Sequence, residues 1–276
     1  MNSEKPERPS SRRSRTSGAL VYRDYRDNFV IWPGRESALD EFVKQSYPGL
    51  GRHKLRHTRS SNSEDALTWS CFDTLACLSG RARADALERL WAIAFSERQV
   101  PPGLLNGKIS VGKQYGEKGE ETEVDASIEG DGLLVFIEAK LYSPISLPDG
   151  NKKKHDQIAR KLRIGVKEAE RVKRDFYLIV LDIAPKEILL GLKPRTSVKD
   201  SKNKLRGGFV GKWMTADSFT IYKRGSRSRV NPLDVIFEGI AGVNVKAIAD
   251  NMGWLTWSDV YKVVLRAVIA SCREGK

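Results

Sequence analysis

Two strand-like runs meet at an Asp-Gly pair in the segment TEVDASIEGDGLLVFIEAK, residues 122–140. The pattern predicts an antiparallel hairpin, because both central positions of a tight turn need the positive φ that Gly and Asp tolerate. A two-residue turn at Asp131 and Gly132 places Asp125 directly opposite Glu138. Because side chains alternate between the two faces of a sheet, this register decides which residues enter the core.

The two faces of the predicted hairpin differ in polarity. One face is expected to enter the core and is apolar: Val124, Ala126, Ile128, Val135, Ile137 and Ala139. The other face carries four charged residues, with Glu123 expected opposite Lys140: Glu123, Asp125, Glu138 and Lys140. Directly facing residues have Cβ atoms ~4.5–5.5 Å apart, so Asp125 and Glu138 are close enough to share a cation. Mg²⁺ prefers carboxylate oxygens, and Lys140 would hold a water molecule or neutralise a phosphate beside it.

A solvated sheet face with cross-strand ion pairs is the alternative interpretation of these charged residues. Leu134 and Phe136 share their face, however, which predicts that the face is partly covered. Carboxylates in such a place need a compensating cation. We therefore favour a catalytic site over a solvated face.

The remaining sequence predicts helices and strands around this hairpin. Helices are expected after Glu36 and at about 64–78, 84–95 and 158–172, strands near 109–111 and 176–181, and mostly helix in the last quarter. Ser61 or Ser63 would cap the second of these helices, and Thr256 or Ser258 the last helix. A basic, Ser-rich loop is expected at 51–63 and a disordered basic arm at 1–17.

The acid followed by a hairpin and then Glu-x-Lys resembles the metal-binding motif of the PD-(D/E)xK nuclease superfamily. Asp125 matches the first acid and Glu138-Ala139-Lys140 the second element, while Val124 stands where the motif has Pro. The resemblance implies an α/β, restriction-endonuclease-like αβββαβ core with a mixed sheet flanked by helices. That core would cover about 64–182 of a single domain at 18–276, with extra helices at about 215–276.

This resemblance also implies a function. It predicts a metal-dependent phosphodiester hydrolase, a deoxyribonuclease of the endonuclease type, that uses Mg²⁺ and accepts Mn²⁺. The implied metal ligands are Asp125, Glu138, the carbonyl of Ala139, and Glu64. The implied catalytic residues are Asp125, Glu138, Lys140 and Gln157. Lys140 would position the attacking water, and Gln157 would orient the nucleophile or a phosphate oxygen. Restriction, repair and defence against phage are the roles that such prokaryotic nucleases serve.

Two of these residues have alternative interpretations. Ser61-Asn62-Ser63-Glu64 fits a capping box, in which the Glu64 side chain reaches back to the helix cap and not towards a metal. Asp65 would then be the nearest substitute as a ligand. Gln157 also suits the exposed face of its helix. Both alternatives stay open at the level of sequence.

Charge points to a polyanionic partner. The chain has 48 Lys+Arg against 35 Asp+Glu, a net charge of +13, and such an excess favours phosphate binding through counterion release. We expect DNA, with RNA not excluded. Candidate backbone contacts are Lys152, Lys153, Lys154, Arg160, Lys202, Lys204 and Arg206. His53 and His57 have the spacing of a metal pair, but their basic neighbours favour a phosphate-contacting loop.

Composition excludes other classes of protein. Hydrophobic residues make up 40% of the chain, too many for a disordered protein. No apolar run approaches the ~20 residues of a membrane span, so no membrane partner is expected. Three cysteines and no signal-peptide pattern predict a soluble cytoplasmic protein. Cleavage of both DNA strands would imply a homodimer. The rival hypotheses are a catalytically inactive nucleic-acid-binding module of the same fold and a protein that docks another subunit.

Overall fold

The structure is a computed structural model that describes residues 12–14, 18–46, 54–96, 98–148, 155–193, 211–225 and 230–274. Its strands are β1 (Arg12–Arg13), β2 (Leu20–Val21), β3 (Lys108–Tyr115), β4 (Thr122–Gly130), β5 (Leu133–Ala139), β6 (Asp175–Asp182) and β7 (Met252–Thr256). Its helices are α1 (Glu36–Lys44), α2 (Lys54–Thr58), α3 (Glu64–Cys77), α4 (Gly80–Ala94), α5 (Pro102–Leu105), α6 (Gln157–Arg171), α7 (Lys186–Leu190), α8 (Lys212–Arg224), α9 (Pro232–Ile236), α10 (Val245–Asp250) and α11 (Trp257–Glu274). A 3₁₀ turn spans Tyr25–Asn28.

The main sheet has five strands in the order β3-β4-β5-β6-β7. Strands β3, β4 and β5 are antiparallel, whereas β5 and β6, and β6 and β7, are parallel. Parallel neighbours need a crossover connection, and α6 provides the one between β5 and β6. The fold is therefore α/β, with a mixed sheet flanked by helices, as the resemblance implied.

Both faces of the sheet are buried, because alternate residues of the central strands enter two separate cores. Val135, Ile137 and Ile179 pack with residues of α3, α4 and α11. Leu134 and Phe136 pack on the other side with residues of α6, α8 and α9. This arrangement explains why β5 and the central part of β6 are nearly continuous apolar runs.

The C-terminal part of the chain, predicted to be mostly helical, also contains a strand. Residues Met252–Thr256 form β7, which extends the central sheet beside β6. A five-residue apolar run has too little periodicity to distinguish a strand from a helix, and only pairing with β6 decides it. After β7, Thr256 and Asp259 form the capping box of α11, since the Asp259 N–H donates to Thr256 Oγ1 and the Thr256 N–H to Asp259 Oδ2.

The N-terminal third differs from expectation in three places. The predicted basic loop contains α2, and α4 begins at Gly80, earlier than the start expected near residue 84. Within the predicted disordered arm, β1 pairs antiparallel with β2; residues 1–11 and 15–17 lie outside the described residues. In the described part of the chain, no helix is both long and apolar enough to cross a membrane.

Candidate active site

The hairpin places the charged residues at the end of the β4–β5 ladder. The predicted register is confirmed from Gly130 opposite Leu133 to Ala126 opposite Ile137. At the next position of β4, a side chain replaces the main chain as the hydrogen-bond acceptor: Asp125 Oδ2 accepts a hydrogen bond from the Ala139 N–H at 2.7 Å. This hydrogen bond holds the Asp125 side chain next to Glu138.

The polar face departs from the predicted pattern on the β4 side. Val124 packs with the cluster of Leu134 and Phe136, although it was expected on the face of Ala126. Glu123 was expected opposite Lys140, but its Oε1 lies 2.5 Å from the Nζ of buried Lys54. The β3–β4 register skips the position where Gly112 faces Asp125, and this local break accompanies the change of face.

Gly112 makes the break possible. Its φ is +66°, and a Cβ there would lie 2.7 Å from Cε2 of Phe42 and 2.8 Å from Nζ of Lys54. We expect Gly112→Ala to lower the free energy of unfolding by about 2–4 kcal/mol, measured by urea denaturation. Gly132→Ala is the matched control, because Gly132 has a φ of +63° with open space around it. A loss of about 1 kcal/mol is expected there, and equal losses in the two variants would contradict the steric explanation.

Lys140 is the centre of the site. Its Nζ lies 2.7 Å from Glu138 Oε1, 3.1 Å from Glu64 Oε1 and 2.7 Å from the Ala139 carbonyl oxygen. Burial alone would lower the pKa of Lys140, but Glu138, Glu64 and Asp125 raise it well above its ordinary value. The ammonium is therefore firmly protonated.

The two hairpin acids have opposite electrostatic environments. Burial and the neighbouring charge of Glu138 raise the pKa of Asp125 well above its ordinary value. Burial also acts to raise the pKa of Glu138, but Lys140 and Lys161 outweigh it and hold the pKa below its ordinary value. Glu138 is thus the more acidic member of the pair, and Asp125 is the acid that holds a proton more readily.

Glu64 points into the site and is not part of a capping box. Ser63 caps α3 by accepting a hydrogen bond from the Ala66 N–H, so Glu64 is the first residue of the helix. Its Oε2 accepts from the Leu141 N–H at 2.7 Å and from Ser143 Oγ at 3.2 Å. Glu64 therefore ties α3 to the segment that follows β5.

Helix α6 contributes a residue that the sequence analysis missed. Lys161 is buried, its Nζ lies 3.2 Å from Glu138 Oε2, and it donates to the Glu123 carbonyl oxygen. The signal was present, since Lys161 occupies the apolar side of its helix between Ile158 and Leu162. A lysine in such a position is buried only when it is paired.

Gln157 and Arg160 also lie at the start of α6. The Gln157 N–H donates to the Ser146 carbonyl, and the Gln157 side-chain oxygen accepts from the Ser146 N–H at 3.2 Å. Arg160 donates to Ser146 Oγ at 3.0 Å, and burial lowers its pKa. Gln157 is therefore engaged with the loop after β5, and not with the carboxylates.

A second buried ion pair lies at the end of β6, next to the site. Asp182, the last residue of β6, has its Oδ1 2.6 Å from Nζ of Lys212, and both side chains are completely buried. Lys212 also donates to the Ser143 carbonyl oxygen at 3.2 Å. Burial raises the pKa of Asp182 to about 6, although Lys212 opposes that shift. Sequence could point to Asp182 at the end of an apolar strand, but it gave no signal for Lys212.

A cleft of about 1310 Å³ opens over these residues. Glu64, Asp125, Gln157, Arg160 and Lys161 line it, whereas Glu138 and Lys140 are buried behind them. Its described lining has seven carboxylates against four Lys or Arg side chains, together with two histidines: Glu64, Asp65, Glu120, Glu121, Glu123, Asp125 and Glu238; Arg56, Arg160, Lys161 and Arg163; His57 and His155. The lining of the cleft therefore favours a cation.

Most of the predicted nucleic-acid contacts are in segments without a structural description. Arg160 and His57 lie in the cleft. The remaining candidates are outside the described residues: His53, Lys152, Lys153, Lys154, Lys202, Lys204 and Arg206. That this protein presents a basic surface to a nucleic acid thus stays a prediction.

The oxygen donors around Lys140 suit a hard divalent cation. Both carboxylate oxygens of Glu138 are buried without a well-aligned hydrogen-bond donor, and carboxylate and carbonyl oxygens are the ligands that Mg²⁺ prefers. Within the described ranges, no group of three or more acidic, His or Cys side chains forms a ready-made metal cage. The types of oxygen atom that a divalent cation binds are therefore present, and lysine ammonium groups lie between them.

Comparison with known proteins gives no match. Neither a family model, nor a curated protein, nor a solved structure is similar to this chain.

Proposed function

We propose that this chain is a metal-dependent phosphodiester hydrolase that cleaves DNA. The observation that carries the proposal is the convergence of Glu138, Glu64 and Lys140 beneath a cleft that Asp125 borders. Two acids and a lysine from one hairpin, with a third acid from a preceding helix, supply the parts that phosphodiester hydrolysis needs.

The order of elements supports a restriction-endonuclease-like core. Helix α3 precedes the antiparallel strands β3, β4 and β5, and α6 then leads to β6, which is parallel to β5. This is the αβββαβ order that the resemblance to PD-(D/E)xK nucleases implies. We propose that fold on the order of elements together with the position of Glu138-Ala139-Lys140 at the end of β5.

Each residue has a role in the proposed reaction. Asp125, Glu138, Glu64 and the Ala139 carbonyl would hold Mg²⁺ or Mn²⁺, which when bound neutralises phosphate charge and lowers the pKa of a water ligand. Lys140 stabilises the developing negative charge on the phosphate and orients the attacking water. Arg160, at the wall of the cleft, holds phosphate oxygens in position, while buried Lys161 balances the charge of Glu138. Gln157 fixes the loop at Ser146 that borders the same cleft.

The proposal is tested with supercoiled plasmid, linear duplex, single-stranded DNA and RNA, each with Mg²⁺, Mn²⁺ or EDTA. We expect metal-dependent cleavage of DNA that Lys140→Ala lowers by at least about a thousandfold, since the charge it stabilises develops in a water-poor site. Lys118→Ala, at an exposed position, is the control and should cleave normally. Cleavage that persists in EDTA, or that survives loss of Lys140 in full, would contradict the mechanism. The substrate that is cut distinguishes DNA from RNA and endonuclease from exonuclease.

One observation favours a second candidate function, a nucleic-acid-binding module without catalysis. Glu138 and Lys140 are both buried and pair with each other, as they would in a purely structural ion pair. That function predicts salt-sensitive DNA binding, no cleavage by the folded protein with any metal, and binding that survives Lys140→Ala.

A further inference from the structure

Three oxygen atoms surround the ammonium group of Lys140. They belong to the Glu138 carboxylate, the Glu64 carboxylate and the Ala139 carbonyl, at distances of 2.7, 3.1 and 2.7 Å from Nζ. They come from two elements that are far apart in sequence, the N-terminus of α3 and the end of β5. The site is therefore built for one small cation, and the chain supplies that cation itself.

An ammonium ion and a divalent metal ion compete for such oxygens. Both are small hard cations that replace hydration water with carboxylate and carbonyl oxygen atoms. A divalent ion cannot take the position between the three oxygens while the ammonium group occupies it, because the two cations would overlap and repel each other. Lys140 must therefore leave these oxygens before a divalent ion can bind all three.

We propose that Lys140 is a tethered competitor for the divalent-cation site and moves to the cleft when the metal binds. Glu64 is the partner of Lys140 that borders the cleft, whereas Glu138 is buried, so the path past Glu64 leads the ammonium towards substrate. The exchange gives the buried lysine access to a phosphate only when the metal is in place. This inference rests on the proposed function, because it takes the metal site from it.

The first test measures Mn²⁺ binding to the full chain without substrate, by calorimetry and by electron paramagnetic resonance. Lys140→Met is expected to bind Mn²⁺ at least about tenfold more tightly than the wild type, because the ammonium group that competes for the three oxygens is removed. The double variant Asp182→Leu/Lys212→Met is the matched control: it removes another buried lysine together with its ion-pair partner, and neither residue supplies one of the three oxygens. Equal or weaker binding by Lys140→Met would overturn the inference, as would an equal gain in the control.

The second test uses the wild-type protein and therefore does not depend on a variant that folds. A small amine-reactive acetylating reagent, followed by peptide mass spectrometry, reports the accessibility of each lysine. We expect saturating Mn²⁺ to raise the labelling rate of Lys140 at least fivefold and to leave Lys212 unchanged. Labelling of Lys140 that stays the same or falls at saturating Mn²⁺ would show that the ammonium keeps its place.

The outcomes separate this inference from the proposed function. If the wild type binds Mn²⁺ and cleaves DNA, but Lys140→Met binds no more tightly, then only the competition is wrong. If no variant binds Mn²⁺ and no cleavage occurs, the metal-dependent function falls and the inference falls with it. Tighter Mn²⁺ binding together with lost cleavage in Lys140→Met supports both.

Discussion

Asp125→Asn is expected to lower DNA cleavage by at least about a thousandfold while the protein stays as stable as the wild type. Cleavage falls because the amide removes one negative charge from the cation site and binds a hard divalent ion poorly. Stability is kept because the Asn side-chain oxygen can still accept the hydrogen bond from the Ala139 N–H, which is 2.7 Å long in the wild type. The neutral amide also removes a buried charge and its repulsion from Glu138, and burial and this repulsion are what raise the pKa of Asp125.

The measurement pairs initial cleavage rates with urea denaturation of the same preparation. Glu121→Gln is the matched control, since Glu121 is an exposed carboxylate that lines the same cleft. Its cleavage rate should stay within about threefold of the wild type, as is usual for an exposed charge. A loss of stability in Asp125→Asn comparable to its loss of activity would mean that Asp125 acts in folding and not in the reaction.

The buried pair of Asp182 and Lys212 should give the largest stability effect. Replacing either partner alone, as Asp182→Leu or Lys212→Met, leaves the other charge buried without compensation and should cost about 3–5 kcal/mol. The double variant removes both charges and should be close to the wild type in stability, or above it. Chemical denaturation of the four proteins completes the cycle. Additive losses in the double variant would show that the two side chains do not act as a pair.

The same four proteins test a pH dependence. The folded-state pKa of Asp182 is about 6, above its ordinary value of 3.8, mainly because of burial. A raised pKa means that the folded protein binds more protons in this range, so the contribution of Asp182 to stability is present at low pH and lost as pH rises through about 6. The stability of the wild type relative to the double variant should therefore fall between about pH 4 and pH 6, the range between the ordinary and the folded-state pKa of Asp182. A difference that is flat across this range would contradict the assignment.

The hairpin and its register could be predicted from sequence because the information is local. The Asp131-Gly132 turn sets the pairing of neighbouring residues, and an alternation of period two then places Asp125 and Glu138 on one face. The same is true of α3 and α6, whose ends lie close to the predicted ones because Ser63 and Asp156 cap them through short-range hydrogen bonds.

The partners of the charged residues could not be predicted, because they depend on contacts between distant elements. Glu123 was expected to face Lys140. Instead, the pairing of β3 with β4 is interrupted at Gly112, and Lys54 of α2 forms the ion pair with Glu123. Strand β7 was missed for the same reason, since its pairing with β6 joins residues about 70 positions apart. Local sequence patterns do not indicate which distant residues become neighbours in the fold.

The sequence by itself determined which residues form the hairpin and that Asp125 and Glu138 lie together on it, and the α/β fold with a mixed sheet followed from the resemblance that these residues carry. Only the tertiary structure decided how the buried charges are balanced. It brings three lysines from three helices close to the acids of the central sheet: Lys54, Lys161 and Lys212. It also places the ammonium group of Lys140 beside Glu138 and Glu64. The physical reason is that a buried charge must find a counter-charge wherever the packed chain supplies one, and periodicity does not report which distant helix that is.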